Sequence, residues 1–194
     1  MANSNTQGFG LIPVGTLGST PSTQGQGAYK IDAGYSAANI YHGAPVVSAA
    51  GYATEGTVVT TGTTANFGVL NGIFYNAATT LKPTWSNGYI ATITPANSED
   101  TTAFVLDNPF QLFEIATDDA ITQAQHMQTF NMNAVAGSTT TEQSSNTLDI
   151  NSEHATNYSW RVVRLAEDPS NSDITAAYTS VIVQSNLNEF LRKT

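Results

Sequence analysis

From Ala28 onward, short runs rich in Val, Ile, Tyr, Phe and Thr alternate with Gly, Asn and Pro breaks. Runs of that length and composition, separated by turn formers, predict strands joined by turns. They fall at 28–32, 38–41, 44–48, 57–61, 69–75, 88–94, 103–106, 111–116, 158–165 and 176–184. In the last two, apolar residues occupy both faces: Trp160 and Val162 against Val163 and Leu165, then Ile182 against Val181 and Val183. That pattern predicts central strands covered on both sides, with Trp160, Val162, Val181 and Val183 in the core. The breaks recur at short intervals, so the fold is expected to be mainly β, an antiparallel β-barrel or β-sandwich.

Three segments depart from this texture. Residues 1–27 hold Gly8, Gly10, Gly15, Gly18, Gly25 and Gly27 with Pro13 and Pro21. Flexible and φ-fixed residues at that density argue against a helix or long strand. Phe9, Leu11, Ile12, Val14 and Leu17 interrupt the polar run, which a solvent linker does not require. The expectation is an extended N-terminal arm whose apolar residues pack on a neighbouring subunit, with 28–194 as a single β-rich domain. Asp118 and Asp119 are each placed to N-cap 120–128, where Ala120, Ile121, Ala124 and Met127 share a helical face. One short helix is expected there. Residues 131–157 are rich in Ser, Thr and Asn, with Leu148 and Ile150 as apolar anchors, and predict a long polar loop or an exposed hairpin.

Composition narrows the class of protein. Of 194 residues, 40% are hydrophobic and only 11% charged, against roughly 25% charged in average soluble domains. Thr, Asn, Ser, Gln and Gly take the place of charge. Shell, fibre and adhesin proteins share this texture, because uncharged polar groups bond to neighbours without a large desolvation penalty. Six Lys and Arg stand against 15 Asp and Glu, a formal net charge of −9. Phosphate backbones call for a positive patch, and the basic pairs Arg161/Arg164 and Arg192/Lys193 are too small for one. Direct nucleic-acid binding is not expected. The chain has no Cys, so disulfides and thiolate metal sites are excluded. Residues 1–10 carry neither a basic nor an apolar signal region, and no stretch reaches the roughly 20 apolar residues of a membrane helix. Synthesis in a cytoplasm, without a membrane, is expected.

The sequence offers little chemistry. Gly8 and Gly10 begin a phosphate-binding pattern, but Pro13 stands where its third glycine belongs; Gly25 and Gly27 begin another that ends at Lys30. No G-x-S-x-G occurs, and His42, His126 and His154 lie far apart in polar company. A calcium loop starting at Asp149 fails at His154, where a glycine is needed. The cluster Asp168–Pro169–Ser170–Asn171–Ser172–Asp173 offers oxygen donors for calcium, yet the same residues form ordinary Pro-initiated turns. No catalytic residue, cofactor or metal is therefore assigned. Trp160 belongs in a core strand. Trp85, in the turn-rich stretch 82–88, suits either an interface anchor or a platform for a sugar ring.

Three stretches carry a resemblance: Asn3-Ser4-Asn5-Thr6-Gln7-Gly8-Phe9-Gly10-Leu11-Ile12-Pro13-Val14-Gly15; Gly72-Ile73-Phe74-Tyr75 with Lys82-Pro83-Thr84-Trp85-Ser86-Asn87; and Trp160-Arg161-Val162-Val163-Arg164 with Asp168-Pro169-Ser170-Asn171-Ser172-Asp173. Together they resemble virion structural proteins of tailed bacteriophages, especially phages of marine bacteria and cyanobacteria. Some of these are similar to capsid decoration, or cement, proteins. The resemblance implies a β-rich body present in many copies, with no catalytic residues. The expectation is a protein that binds the outside of the capsid and stabilises it, placed on the virion after synthesis in the bacterial host. Its partners would be the major capsid protein and copies of itself, as trimer or dimer, contacted through Phe9, Leu11, Ile12, Pro13 and Trp85. A head-fibre or tail component and a carbohydrate-binding module are the alternatives.

Overall fold

The structure, a computed structural model, describes residues 3–18, 25–56 and 65–191. Along them run β1 (Ile12–Thr16), β2 (Gly27–Ile31), β3 (Pro45–Ala49), β4 (Tyr52–Glu55), β5 (Gly68–Asn76) and β6 (Pro83–Ser86). Then come β7 (Thr101–Leu106), β8 (Gln111–Ala116), β9 (Thr129–Asn133), β10 (Thr147–His154), β11 (Trp160–Leu165) and β12 (Ser180–Ser185). The fold is mainly β and consists of two antiparallel sheets. The first has the order β1-β8-β12-β11-β9-β10; the second has the order β2-β7-β5-β3-β4, with β6 added to β5.

Neither sheet closes into a barrel, which removes that half of the expectation. Both nonetheless curl. The end strands of the second sheet, β2 and β4, come close without pairing. In the first sheet Thr117 bridges Leu148 where β8 runs out, and the Asp118 N–H donates to the Leu148 carbonyl at 3.0 Å.

Each sheet buries its own apolar face. The first core gathers Phe113, Ile115, Phe130, Trp160, Val162 and Val183. Within it the Phe113 and Trp160 rings meet edge to face, 5.9 Å apart at 89°, a geometry favoured by the ring quadrupoles. The second gathers Ile31, Ile40, Val46, Leu70, Ile73 and Val105. Adjacent strand residues point to opposite faces, and this joins the two halves. Leu70 and Val105 enter the second core, while their neighbours Val69 and Leu106 enter the first. Strand β12, between β8 and β11, buries both faces over Ser180–Val183, whereas β11 alternates. The expectation of two doubly covered strands therefore holds for β12 only.

The N-terminal segment is extended, but it does not stand away from the body. Asn3 donates its amide to the Ala177 carbonyl (2.9 Å) and the Thr179 hydroxyl (3.1 Å), and accepts the Asp173 N–H (3.0 Å). The Asn171 side chain accepts the Asn5 N–H at 2.7 Å. Strand β1 then pairs with β8, Ile12 opposite Glu114 and Thr16 opposite Gln111. Ahead of β1, Gly8 and Gly10 mark close approach rather than flexibility. A side chain at Gly8 would collide with the Ser145 and Asn146 carbonyls, and Gly10 has φ +75 against Ser144 and Gly43. Of the expected arm over 1–27, the described residues 3–16 thus belong to the first sheet and its rim.

The expected helix over 120–128 reduces to one 3-10 turn, Gln123–Gln125, capped by Thr122. Its backbone groups are claimed from outside: Ile121 N–H donates to the Ile174 carbonyl and Met127 N–H to that of Val162. Of the supposed buried face only Ile121 is buried, while Ala124 and Met127 face solvent. The stretch 131–157, expected as a long polar loop or an exposed hairpin, is a hairpin whose connecting loop runs over 134–146. Strands β9 and β10 form a hairpin, and Leu148 and Ile150 turn inward at period two. The segments 38–41 and 88–94 are not strands either. Ile40 and Tyr89 exchange both backbone bonds at 2.8 Å. The ladder stops there because Asn39 Oδ1 takes the Ala91 N–H and the Ile93 N–H turns back to Ile90. The strand expected at 57–61 lies outside the described residues.

Candidate docking surface

Strand β6 contains Pro and Ser and has little strand propensity, so its place depends on what its tryptophan covers. It pairs with β5, placing Trp85 opposite Phe74. Phe74 in turn lies opposite Thr102 of β7, which lies opposite Lys30 of β2. Directly opposed residues share a face, so all four stand on the outward side of the second sheet. One row along, Gly72 lies opposite Phe104, which lies opposite Ala28.

Trp85 packs across this second row. Its ring lies over Gly72, and the Phe104 ring sits 5.3 Å away at 32°. Just beyond, the Ser86 hydroxyl donates to Glu142, and the Gly88 N–H donates to the same carboxylate at 3.1 Å. Strand β6 is thus pinned to the loop between β9 and β10. Even so, Trp85 remains 49% exposed and Phe74 40%. Polar pairs border the rings: Lys30 Nζ donates to Thr102 at 2.9 Å, and Asn76 donates to Glu99 at 3.4 Å. Aromatic area of this kind, held in place and left open to water, makes this face the candidate interaction surface.

The other residues expected to meet a partner are dispersed. Leu11 is 1% exposed and belongs to the first core, so it is corrected from a partner contact to an internal anchor. Phe9 is half-buried, its carbonyl accepting the Gln143 side chain at 2.8 Å. Pro13 is half-buried opposite Phe113, and Ile12 is exposed. Val14, Leu17 and Phe110 are exposed as well, and the Leu17 N–H donates to the Phe110 carbonyl at 2.9 Å. As a pairing edge β1 is blunted, because Pro13 has no N–H and the register slips between Pro13 and Gly15, two devices that discourage strand addition. The opposite edge, β10, is bulged between Asp149 and His154 and carries Asp149 and Glu153.

The titratable groups are engaged locally. His42 Nδ1 lies 2.9 Å from the Asn71 carbonyl, His126 pairs with Gln123, and His154 accepts the Thr156 and Asn157 N–H groups. Asp168 accepts from Ser170 and Asn171, and Asp173 from Thr175. These bonds hold both carboxyls below the usual carboxylate range and make the candidate calcium cluster a pair of Asx turns. Among the described residues no three His, Cys, Asp or Glu gather as metal ligands, and no helix is long and apolar enough to cross a membrane.

Sequence reasoning found Trp85 but not Phe74 and Phe104. Both lie in stretches recognisable as strands, yet their outward direction depends on the register with β6 and β2. Comparison with protein-family models, characterised proteins and solved structures found no match to this chain.

Proposed function

We propose that this protein is a non-enzymatic virion component, a capsid decoration protein that docks on the outer surface of the major capsid shell and stabilises it. In this reading the two open sheets make a sandwich-like body, and the face carrying Trp85 and Phe74 seats on the shell. The single observation that carries the proposal is that Trp85 and Phe74 stand exposed opposite one another on one face of the second sheet. Docking by a face suits a protein that covers subunit boundaries without polymerising through its own strands. The low charge content and the resemblance of residues 3–15, 72–87 and 160–173 to phage virion proteins support the same reading.

A standard interface buries roughly 1,200–2,000 Å² in total, and its affinity concentrates in a few aromatic anchors. The test is occupancy on purified shells lacking the protein. The doubly substituted Phe74→Ser, Trp85→Ala protein should lose at least about tenfold in affinity while keeping both cores, to which neither side chain belongs. Full occupancy by that variant would sink the proposal. A second reading, a carbohydrate-binding module, is favoured by the Lys30–Thr102 and Asn76–Glu99 pairs beside the rings. Glycan binding that disappears with Trp85→Ala would select it.

A further inference from the structure

The second sheet curls until β2 and β4 face one another, and rings gather where it fails to close. Tyr29 comes from β2 and Tyr52 from β4, and Phe67 enters just before β5. Phe190 arrives from the C-terminal turn, Glu189–Leu191. That turn is anchored, since Asn66 N–H donates to the Leu187 carbonyl at 3.0 Å and Glu189 N–H to that of Asn66 at 2.9 Å. The Tyr29 and Phe67 rings lie 4.7 Å apart at 52°, and Phe67 and Phe190 meet edge-on at 6.4 Å. Together with Ser48, Gly51, Ala53 and the acidic Glu189, they line an open cleft of about 180 Å³.

We infer that this cleft is a binding site for a small organic ammonium cation, such as a trimethylammonium head group. Three partly open rings, Tyr29, Tyr52 and Phe190, surround one space above the buried Phe67, and aromatic faces attract a cation. A carboxylate at the rim, on a chain of net charge −9, selects the same sign. The Tyr29 hydroxyl donates to Asp107 at 2.7 Å, which pushes electron density into its ring. Burial first, then that hydrogen bond and the Asp107 charge, raise the phenol to about 12, so the ring is held as the donor-bonded neutral form. The cleft is smaller than the roughly 300 Å³ at which ordinary small-molecule pockets begin, which limits its occupant to a head group. Phe190 packs edge-on against Phe67 and still keeps 53% of its surface exposed beside the cleft.

The experiment titrates the full chain with choline and, separately, with 3,3-dimethylbutan-1-ol, its neutral isostere, by calorimetry and NMR shift mapping. Choline should bind at least about tenfold more tightly than the alcohol, with shifts at Tyr29, Tyr52 and Phe190. Phe190→Leu keeps apolar bulk and removes the ring, so it should weaken choline about tenfold, while Phe190→Tyr should retain binding. Equal affinity for the two probes, unchanged binding in Phe190→Leu, or no choline binding at tens of millimolar would each overturn the assignment. None of these outcomes depends on capsid docking through Trp85, because Trp85 is not among the residues lining the cleft.

Discussion

The indole of Trp85 rests on Gly72, a diagonal neighbour across the β5–β6 pair. A Cβ built at position 72 would meet Cζ2 closer than contact allows, with Cη2 at 2.8 Å and Cε2 at 2.9 Å. A glycine in a strand leaves its backbone uncovered and packs nothing, and a cross-strand aromatic laid over it repairs both defects. Here the repair also fixes the orientation of the one tryptophan open to a partner. The two ring faces are made unequal: one is against the strand, and the other is available.

Gly72→Ala should separate stability from presentation. The added methyl forces the ring outward, but alanine recovers roughly 0.5–1 kcal/mol of backbone entropy relative to glycine, so net stability should change by less than about 1 kcal/mol. Tryptophan emission should shift to the red and acrylamide quenching should rise, because Trp160 stays buried and Trp85 does not. An unchanged emission spectrum would show that the indole does not depend on its seat.

Leu11→Ala tests the placement of the N-terminal segment. A side chain 1% exposed in the first core should cost about 2–5 kcal/mol when truncated. Removing residues 1–16 should cost at least as much, since β1 and the Asn3 and Asn5 bonds go with it. Urea midpoints of the three proteins are the measurement. A truncated chain as stable as the full one would restore the picture of a detached arm.

What the sequence reveals depends on where each residue's partner lies. Strands β2, β3, β5, β7, β8 and β11 are legible because β-branched and aromatic runs carry their own propensity. Strand β1 is hidden because Gly8 and Gly10 just before it imply flexibility until the Ser145 and Asn146 carbonyls and the Ser144 side chain are seen against them. Strand β6 has no run at all, and its position is set by Trp85 over Gly72 and by Glu142 at its end. The helical spacing of Ala120, Ile121, Ala124 and Met127 is real, but the N–H groups of Ile121 and Met127 are bound by other segments, so local periodicity loses to tertiary bonding. The aromatic cleft is the least legible feature. Tyr29, Phe67 and Phe190 come from three distant stretches, and only the curl of the second sheet and the return of the C-terminus bring them together.

Trp160→Ala probes the first core at its largest side chain. Trp160 is 2% exposed and meets Phe113 edge to face, so its loss should cost roughly 3–5 kcal/mol. Phe113→Leu keeps most of the volume and should cost less. If denaturant titration places Trp160→Ala within about 1 kcal/mol of the parent, the site collapses freely and the core is not close-packed there.

Asp118 supplies a pH test whose sign follows from its surroundings. Burial raises its carboxyl above the ordinary value of 3.8 and the nearby Asp149 charge adds to this, while the Ile150 N–H, donating at 2.9 Å, works in the opposite direction. The folded state therefore holds the proton more tightly than the unfolded chain. By linkage, stability from this group increases as pH falls through the raised folded value toward 3.8, and above that window the ionised carboxylate is a liability. Asp118→Asn keeps an oxygen for the Ile150 N–H and removes the charge. It should raise the urea midpoint at pH 7, and the advantage should shrink on acidification toward pH ~4, where the parent carboxyl gains its own proton. Parallel titrations of parent and variant across that range provide the measurement. A gap that stays constant, or widens as the solution is acidified, would mean that the Ile150 bond outweighs burial and that the carboxylate is stabilising as it stands.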